Sequence, residues 1–242
     1  MSKIYVITLD AGHGGSDPGA IGKRSHEADI NLFISQLVGK ILTEQGHKVV
    51  QTRTSNITLS LQQRADISNR NGCDAFISIH CNAFTNINAH GTETYNFPDS
   101  IEGEKLSESV QTELIKATGL ADRGTKEAMF GVLRMTKATA ILVETAFISN
   151  VNEENLLMQN DFRQKIAESI VRGLFKYLNL TYKENILVKP VVDNKIMLLQ
   201  KVYNRCGIRG ADDKSLTEDG LNGTNTEAAR IKLIKYIADV TK

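Results

Sequence analysis

The sequence predicts an α/β domain with a mostly parallel, twisted sheet flanked by helices, followed by a small all-α domain at the C-terminus. Short apolar, β-branched runs alternate with segments whose apolar residues recur at helical spacing, which is the pattern of a sheet covered on both faces. Near residue 190 a proline-containing stretch loses this period. We expect a first domain over residues 1–180, a linker over 181–193 and a helical domain over 194–242.

Length and composition set the limits of this interpretation. A chain of 242 residues suits a domain of about 180 residues with a small appendage, and 41% hydrophobic with 24% charged residues is ordinary for a globular protein. No apolar run approaches the roughly 18 residues of a membrane helix, and the N-terminus lacks the apolar region of a secretory signal. We expect no membrane insertion, synthesis in the cytoplasm and, at a net charge of +1, no nucleic-acid partner.

The three cysteines, Cys73, Cys81 and Cys206, show no Cys-x-x-Cys spacing. Their odd number argues against a disulfide framework and against a cysteine-rich metal site. We interpret them as small buried apolar residues.

The first predicted strand, residues 4–9, runs into a glycine-rich segment that contains His13. Glycines allow the backbone to take positive φ and to pass close to another group at the strand end. His13 and Glu27 offer a nitrogen and a carboxylate oxygen across a loop long enough to fold back, and Zn²⁺ accepts both at about 2.0–2.2 Å. Taken alone, these residues fit a plain strand-to-helix turn with a solvated histidine equally well.

The next predicted elements continue the alternation of strands and helices. Apolar residues at helical spacing over 30–42 predict a helix that stops at Gly46, with Glu27 at or just before its first turn. Residues 47–53 predict a second strand. Ser60 and Gln63 form a capping-box signal for a helix that ends near Gly72.

Three further strands are predicted, and two of them lead into polar side chains. Residues 74–80 form a β-branched run that ends in His80, a third candidate ligand, and residues 138–143 lead into Glu144. Residues 91–97 predict the other strand. The remaining helices contain Leu106 to Ala117, closed by Gly119, and Phe162 to Leu178, with Asp161 as the expected cap.

His13, His80 and Glu144 each come just after a predicted strand. Sites of α/β sheets form at the carboxyl ends of strands, so we expect these residues to converge although they are distant in sequence. Two histidines and a glutamate would leave a fourth zinc position open for water, whose pKa the ion lowers towards about 7. Glu144, at the end of a buried strand, is the candidate general base and then acid.

Six short segments carry a family resemblance, namely residues 10–15, 17–20, 52–53, 64, 77–82 and 142–150. In this order they resemble the zinc-dependent N-acetylmuramoyl-L-alanine amidases of the Amidase_3 type over about residues 3–180. The resemblance implies one Zn²⁺ bound by His13, Glu27 and His80, with Glu144 as the catalytic carboxylate. It also implies hydrolysis of the amide that joins the lactyl group of N-acetylmuramic acid to L-alanine. The family usually has Pro in place of Ala11 and Ala in place of Cys81.

Several polar residues leave alternatives open. His26 or His90 could replace a proposed ligand, and the Cys81 thiol could offer a competing metal contact. Arg64 is expected to tie strand-end loops together, with a role in binding substrate carboxylates as the alternative. Asn82 and Glu93 are candidates for substrate contact or site support, although the alternation around Glu93 favours solvent. Asp10 and Asp17 are predicted to be turn residues.

The tail predicts a small helical unit. A first helix face, from Ile196 to Tyr203, ends at Gly207, and a capping box opens the last helix at Thr224. The Leu-Gln pair in the first helix and an Asp-Gly-x-x-Gly-x-x-Thr turn resemble the three-helix peptidoglycan-binding domain. The alternative is a dimerising or stabilising helical tail. The resemblance implies wall binding through Asp219, Gly220, Gly223 and Thr226.

These resemblances together imply a modular hydrolase whose partner is bacterial peptidoglycan. Such an enzyme fits a phage endolysin or an autolysin that reaches the cell wall after release, through a holin-type lesion or lysis of the mother cell. A zinc carboxypeptidase or deacetylase that acts on the wall, and a catalytically inactive wall-binding protein, are the rival functions.

Overall fold

The structure is a computed structural model and describes residues 3–184, 194–217 and 224–240. The chain divides into two compact units, with the boundary between Val188 and Lys189 apart from residues 159–161, which group with the second unit. Among the residues described, no helix is both long and apolar enough to cross a membrane.

The first unit alternates strands and helices in the order that the sequence predicts, with three additional short elements. Its strands and helices are β1 (Val6–Ala11), α1 (Glu27–Glu44), β2 (Lys48–Gln51), α2 (Leu61–Arg70), β3 (Ala75–Asn82), β4 (Thr92–Asn96), α3 (Ile101–Thr118), β5 (Asp122–Glu127), α4 (Gly131–Met135), β6 (Thr139–Phe147), α5 (Val151–Leu157) and α6 (Asn160–Tyr177).

The six strands form one mixed sheet in the order β2-β1-β3-β6-β4-β5. All neighbouring strands are parallel except β4 and β6, which pair antiparallel. The predicted α/β class with a mostly parallel sheet is therefore confirmed. The carboxyl ends of β1, β3 and β6 lie at the same edge of the sheet, which places three of the expected site segments side by side.

Helices cover both faces of the sheet, because successive side chains of a strand point to opposite faces. On one face of β1, Leu9 packs against α1, where a Cβ added to Gly39 would lie 3.3 Å from the leucine side chain. On the other face, the Thr8 hydroxyl donates a hydrogen bond to Ser68 of α2 at 2.9 Å. Phe76 and Leu142 continue this second face and pack against α4.

Local sequence signals explain several of the observed helix ends. Ser60 and Gln63 form the predicted capping box at the start of α2, with both reciprocal hydrogen bonds present. Gly119 closes α3 in the left-handed conformation, at φ 68°, which a residue with a Cβ adopts less readily. Asp161 is not the cap of α6 as predicted, because that helix already begins at Asn160.

Three elements were not predicted, namely β5, α4 and α5. β5 reads Asp-Arg-Gly-Thr-Lys-Glu and contains no apolar residue, so no period marks it as a strand. It forms because it pairs with β4 at the edge of the sheet, where side chains on both faces can remain partly solvated. α4 and α5, of five and seven residues, are too short to show a clear helical period.

The second unit contains two described helices, α7 (Asn194–Arg205) and α8 (Thr224–Val240). A small apolar cluster of Tyr203, Leu216 and Ala229 forms its core. The cysteine prediction is correct for Cys81, which is buried, and wrong for Cys206, which is exposed; Cys73 is partly buried.

Candidate active site

The glycine-rich segment after β1 places His13 at the edge of the sheet. His13 itself takes a positive φ of 61°, and a short bridge between Gly14 and Asp17 folds the segment back on itself. A Cβ at Gly12 would overlap the ring of His80, so the absence of a side chain at this position is what admits the imidazole. Gly12 is thus required because a side chain would overlap His80, in addition to the positive φ that other glycines of the motif allow.

The structure brings His13, Glu27 and His80 together. One potential ligand atom from each of these side chains lies within 4.8 Å of the other two. Glu27 Oε1 is 3.2 Å from His13 Nε2 and 2.9 Å from His80 Nδ1, and the two imidazole rings are steeply inclined, at 80°. Within the described part of the chain, this is the cluster whose donor atoms suit a metal ion.

The environment of Glu27 orients its carboxylate. Glu27 is the first residue of α1 and is buried, and its Oε2 accepts a hydrogen bond from the backbone N–H of Ala20 at 2.8 Å. The backbone N–H of Cys81 and the side-chain amide of Asn31 donate to Oε1 at 3.1 and 3.2 Å. These hydrogen bonds fix the orientation of both carboxylate oxygens.

His13 is oriented from its other side. Its Nδ1 lies 2.8 Å from Asp17 Oδ2, and the other oxygen of Asp17 accepts the backbone N–H of Gly19 at 3.0 Å. Asp17 is thus a turn residue, as predicted, and also a hydrogen-bond partner of His13. An imidazole that donates Nδ1–H to a carboxylate presents Nε2 as the ligand atom, which is the usual arrangement behind metal-binding histidines.

The close approach of these groups shifts their pKa values. The hydrogen bond to Glu27 raises the pKa of His13 from 6.5 to about 9. Burial alone would raise the pKa of Glu27, but hydrogen bonds from His13 and His80 outweigh burial and hold it well below 4.5. The Glu27 carboxylate is therefore charged across the physiological pH range, and it attracts a cation.

Glu144 lies on β6, one strand from His80. The Cα register pairs it with His80 of β3 on one side and with Glu93 of β4 on the other, so the three side chains point to the same face of the sheet. Its Oε2 is buried and has no hydrogen-bond partner among the residues that the structure describes. Burial raises the pKa of Glu144 to about 7, although nearby His80 acts to lower it.

His80 and Glu144 do not follow their strands, as the sequence analysis expected, but lie inside them. Strand β3 continues to Asn82 and β6 to Phe147, because the ladder between the two extends past a register shift near residue 81. His13 does follow β1, two residues beyond its end.

Arg64 ties the strand-end loops together. Its guanidinium donates to the carbonyl oxygens of Ala11 at 2.7 Å and His13 at 2.8 Å, and it pairs with Asp10 Oδ1 at 2.8 Å. Asp10 is not a turn residue as predicted. It is buried within β1 and also accepts hydrogen bonds from Thr52 and Ser78.

Arg53 is a second buried guanidinium behind the His13 loop. It donates to the carbonyl oxygens of Ala11, Gly12 and Ala28 at 2.7 to 2.8 Å. Burial lowers the pKa of Arg53 to about 10, so the guanidinium remains charged at neutral pH. The sequence analysis noted this arginine only within a motif, since hydrogen bonds to carbonyl groups leave no local pattern.

Glu93 is buried, with 3% of the residue exposed, and the expectation that it faces solvent is wrong. Its Oε1 accepts hydrogen bonds from Asn82 at 2.6 Å and from the Tyr95 hydroxyl at 2.8 Å. Its Oε2 accepts from Arg123 Nε at 2.7 Å and from the Lys126 ammonium. Asn82 and Glu93 thus contact each other next to Glu144.

Burial alone would raise the pKa of Glu93, but its hydrogen bonds, first those from Lys126 and Arg123, outweigh burial and lower it to about 2. Both cations lie on β5, the strand without an apolar pattern, and sequence reasoning missed them. The charge-rich composition of residues 122–127 is the one local signal that marks them.

Glu93 and its two cations line a pocket of about 630 Å³, which we call the β4–β5 pocket. It is lined by residues of β3, β6, β4 and β5 and of the loops beyond them, and Glu93, the register partner of Glu144, is part of its wall. Its lining residues are Asn82, Phe84, Asn86, Asn88, Ala89, His90, Glu93, Tyr95, Ala121, Asp122, Arg123, Lys126 and Phe147.

The alternative ligands lie outside the cluster. His26 is exposed and 4.0 Å from Asp29, and His90 is exposed with its Nδ1 2.8 Å from the carbonyl oxygen of Asn88. Cys81 is buried, and its Sγ lies 3.5 Å from Asn31 Oδ1. Burial raises the pKa of the Cys81 thiol well above 9.0, which disfavours the thiolate that binds metals.

The predicted wall-binding residues fall mostly outside the described part of the chain. Three of them, Asp219, Gly220 and Gly223, lie outside the described residues. Thr226 is described: it is buried in the second unit, and its hydroxyl accepts a hydrogen bond from the side-chain amide of Gln200 at 2.9 Å.

The chain is similar in sequence to known cell-wall amidases. The chain is 37% identical over 183 residues to the sporulation-specific N-acetylmuramoyl-L-alanine amidase of Bacillus subtilis (strain 168), a match that covers 74% of this chain and 69% of that protein. It is 37% identical over 190 residues to the endolysin of Bacillus phage SPP1, covering 76% and 69%.

Solved structures show the same relationship. The crystal structure of N-acetylmuramoyl-L-alanine amidase from Clostridium difficile 630 matches with a TM-score of 0.71 and 36% sequence identity, over 74% of this chain and 98% of that one. The model of the Amidase_3 family, N-acetylmuramoyl-L-alanine amidase, matches residues 7–176, which contain the six strands of the sheet except for Val6, the first residue of β1. The chain therefore belongs to the Amidase_3 family of N-acetylmuramoyl-L-alanine amidases.

Proposed function

We propose that this chain is a zinc-dependent amidase of bacterial peptidoglycan, which cleaves the bond between the lactyl group of N-acetylmuramic acid and L-alanine. The observation that carries the proposal is the cluster of His13, Glu27 and His80, whose potential ligand atoms lie within 4.8 Å of one another. Glu144 lies on the strand next to that of His80. Family membership supports the bond that is cleaved.

The donor set fits zinc. Two imidazole nitrogens and one carboxylate oxygen are ligands that Zn²⁺ prefers, and three protein ligands leave a position open, as catalytic sites require. The Glu27 charge and the carboxylate of Asp17 behind His13 favour a cation at this point. When bound, zinc would polarise the substrate carbonyl and make water more acidic.

We propose that Glu144 is the catalytic carboxylate. Its unpartnered Oε2 can accept a proton from the attacking water and deliver it to the nitrogen of the leaving L-alanine amine. A carboxyl whose pKa lies near 7 exchanges protons in both directions near neutral pH. Burial raises the pKa of Glu144 first, and the negative charges of Glu27 and Glu93 raise it further, whereas His80 acts to lower it.

The other polar residues have supporting roles in this proposal. Arg64 fixes the backbone that presents His13, through the carbonyl oxygens of Ala11 and His13. Asn82 and Glu93 form the wall of the β4–β5 pocket next to Glu144, where they support the substrate side of the site.

Identification of the new end groups in digested cell walls tests the activity. Purified protein is incubated with bacterial walls, with and without a zinc chelator, alongside the Glu144→Gln variant. We expect new N-terminal alanine without new reducing sugars, and none with chelator present. Released acetate would indicate a deacetylase, and loss of C-terminal residues a carboxypeptidase. Wall binding without any new end group would indicate an inactive wall-binding protein.

We also propose that residues 194–242 bind the wall and keep the enzyme on its insoluble substrate after release from the cell. The mildly basic charge of the tail supports this, since the chain from residue 181 onward carries 11 Lys and Arg against 8 Asp and Glu. A chain that ends at residue 188, where the first compact unit ends, should cleave soluble muropeptides normally and sediment less with walls. A shift from dimer to monomer with unchanged sedimentation would instead indicate a dimerising tail.

A further inference from the structure

We propose that the β4–β5 pocket binds a free carboxylate of the stem peptide, through Arg123 and Lys126, and so selects among peptidoglycan substrates. This inference rests on the proposed amidase activity. It assigns the cations of β5 to the peptide part of the substrate, on the leaving-group side of the bond that is cleaved.

The position of the pocket suits the stem peptide. Glu144 pairs with Glu93 on β4, and β4 pairs with β5, so two strand spacings separate the backbone of Glu144 from the backbone of Arg123 and Lys126. At about 4.8 Å per spacing, this is roughly 10 Å. The charged ends reach back towards β6, since the Arg123 guanidinium lies 4.9 Å from the centre of the Phe147 ring. Two residues of an extended peptide, about 7 Å long, therefore bridge the gap that remains. A stem peptide with its alanine nitrogen at Glu144 therefore reaches β5 with its next residues.

The N–H groups of Arg123 and Lys126 that have no partner among the described residues favour a ligand that accepts hydrogen bonds. The two oxygens of Glu93 already accept four hydrogen bonds, and Arg123 uses Nε for Glu93 and Nη1 for the carbonyl oxygen of His90, at 3.4 Å. Within the described residues, Nη2 of Arg123 has no partner, and Lys126 donates one of its three N–H groups to Glu93. The donors that remain match a carboxylate, which only accepts when ionised.

Glu93 also holds the two cations in place. Glu93 is buried, whereas the side chains of Arg123 and Lys126 are 36% and 38% exposed. Its carboxylate therefore binds both cations from the buried side, and their exposed atoms line the pocket. The Arg123 guanidinium lies 4.9 Å from the centre of the Phe147 ring, which restricts it further. Cations that are fixed before binding lose little entropy when a ligand arrives.

The remaining wall of the pocket includes one carboxylate, whose oxygen already accepts hydrogen bonds, and two side-chain amides. Asp122 is the other carboxylate that lines it, and its Oδ1 accepts hydrogen bonds from Gln111 and from the backbone N–H of Gly124. Asn86 and Asn88 offer side-chain amides, which can pair with the backbone of a peptide. The ligand class is thus a short peptide with a free carboxylate two or three residues from the alanine nitrogen.

Paired soluble muropeptides test the inference. They differ only in the glutamate that follows L-alanine, whose α-carboxyl is free in one and amidated in the other. We expect the wild-type enzyme to prefer the free carboxylate about tenfold in kcat/KM, as a charge-assisted hydrogen bond would allow. In Arg123→Gln the preference should fall to about twofold or less, through a raised KM for the free acid with little change in kcat. Lys126→Met should act in the same direction.

Arg70→Gln is the matched control, because this arginine is also exposed and paired with a carboxylate, Asp66, but lies on α2. It should keep the wild-type preference. Arg123→Lys preserves a charge at the site and should recover part of the preference, whereas a merely structural loss would leave both substrates equally affected. Equal loss on the two substrates, or no wild-type preference, would overturn the inference while leaving the amidase activity intact. Failure to release N-terminal alanine from either substrate would overturn the proposed function as well.

Discussion

Two buried carboxylates at opposite ends of the site, Glu27 and Glu93, differ sharply from Glu144 between them. Glu27 is surrounded by two imidazoles and by N–H donors, and Glu93 by a lysine, an arginine, a tyrosine and an asparagine. Both have lowered pKa values. Glu144 has a buried oxygen with no partner among the described residues, and a pKa raised to about 7.

The comparison shows that hydrogen-bond partners, more than burial, separate the roles of these three residues. Burial acts in the same direction on all of them, because it penalises the charged form. Donors reverse that effect at Glu27 and Glu93, which then serve as fixed charges that attract or hold cations. Without donors, Glu144 retains a proton affinity suited to proton transfer. The following predictions test this division.

The largest effect is expected from Glu27→Gln. This change removes the negative charge that faces both histidines, so zinc content after dialysis should fall to background and amidase activity should fall with it, by more than about a hundredfold. Zinc is measured by atomic absorption and activity on purified walls. Glu108→Gln, in the exposed part of α3, is the control and should retain both. A Glu27→Gln protein that keeps one zinc would show that Glu27 is not a ligand.

Glu144→Gln should separate activity from metal binding. Removal of the general base and acid is expected to lower kcat by at least about a hundredfold, while zinc content remains at that of the wild type. The two measurements are made on the same preparation. Loss of zinc together with activity would make Glu144 a ligand and would remove the distinction between it and Glu27.

Asp17→Asn should produce a smaller change, since Asp17 contacts His13 rather than the ion. Partners behind a ligating histidine contribute about tenfold to a hundredfold in metal affinity, and the exposure of Asp17 places the expected loss near tenfold. Competition with a chromophoric chelator measures the affinity. Asp66→Asn, at a partly exposed aspartate that is also in an ion pair, is the control. An unchanged affinity would mean that His13 needs no orienting carboxylate.

The smallest effect concerns Glu93 and stability at low pH. Its folded pKa of about 2 lies below the ordinary value of 4.5, so its charge stabilises the fold fully above pH 4.5. This contribution is lost as the pH falls towards 2. The side chains of Arg123 and Lys126 are 36% and 38% exposed, so solvent screens their pairing with Glu93. Wild type should exceed Glu93→Gln by about 1 kcal/mol in free energy of unfolding at pH 6, and by less at pH 3.

Urea titrations of both proteins at the two pH values measure this difference. A gap between wild type and Glu93→Gln that does not change with pH would show that packing, rather than the charge on Glu93, stabilises this end of the site.

The sequence by itself determined the order of the main elements and the identity of the candidate residues. Apolar periodicity is a local property, so it marks β1, β3 and β6 and the helices between them without knowledge of the fold. The glycines around His13 and the polar residues near the strand ends are likewise visible in short segments. The family resemblance rests on these same segments.

Tertiary structure alone decided the environments of the carboxylates. Glu93 is buried because Arg123 and Lys126 pair with it from a strand that has no apolar pattern, about 30 residues further along the chain. Asp10 is buried because Arg64 reaches it from α2. Hydrogen bonds and strand pairing between distant segments leave no periodic trace. The partners that separate Glu27 and Glu93 from Glu144 therefore emerge only when the sheet is assembled.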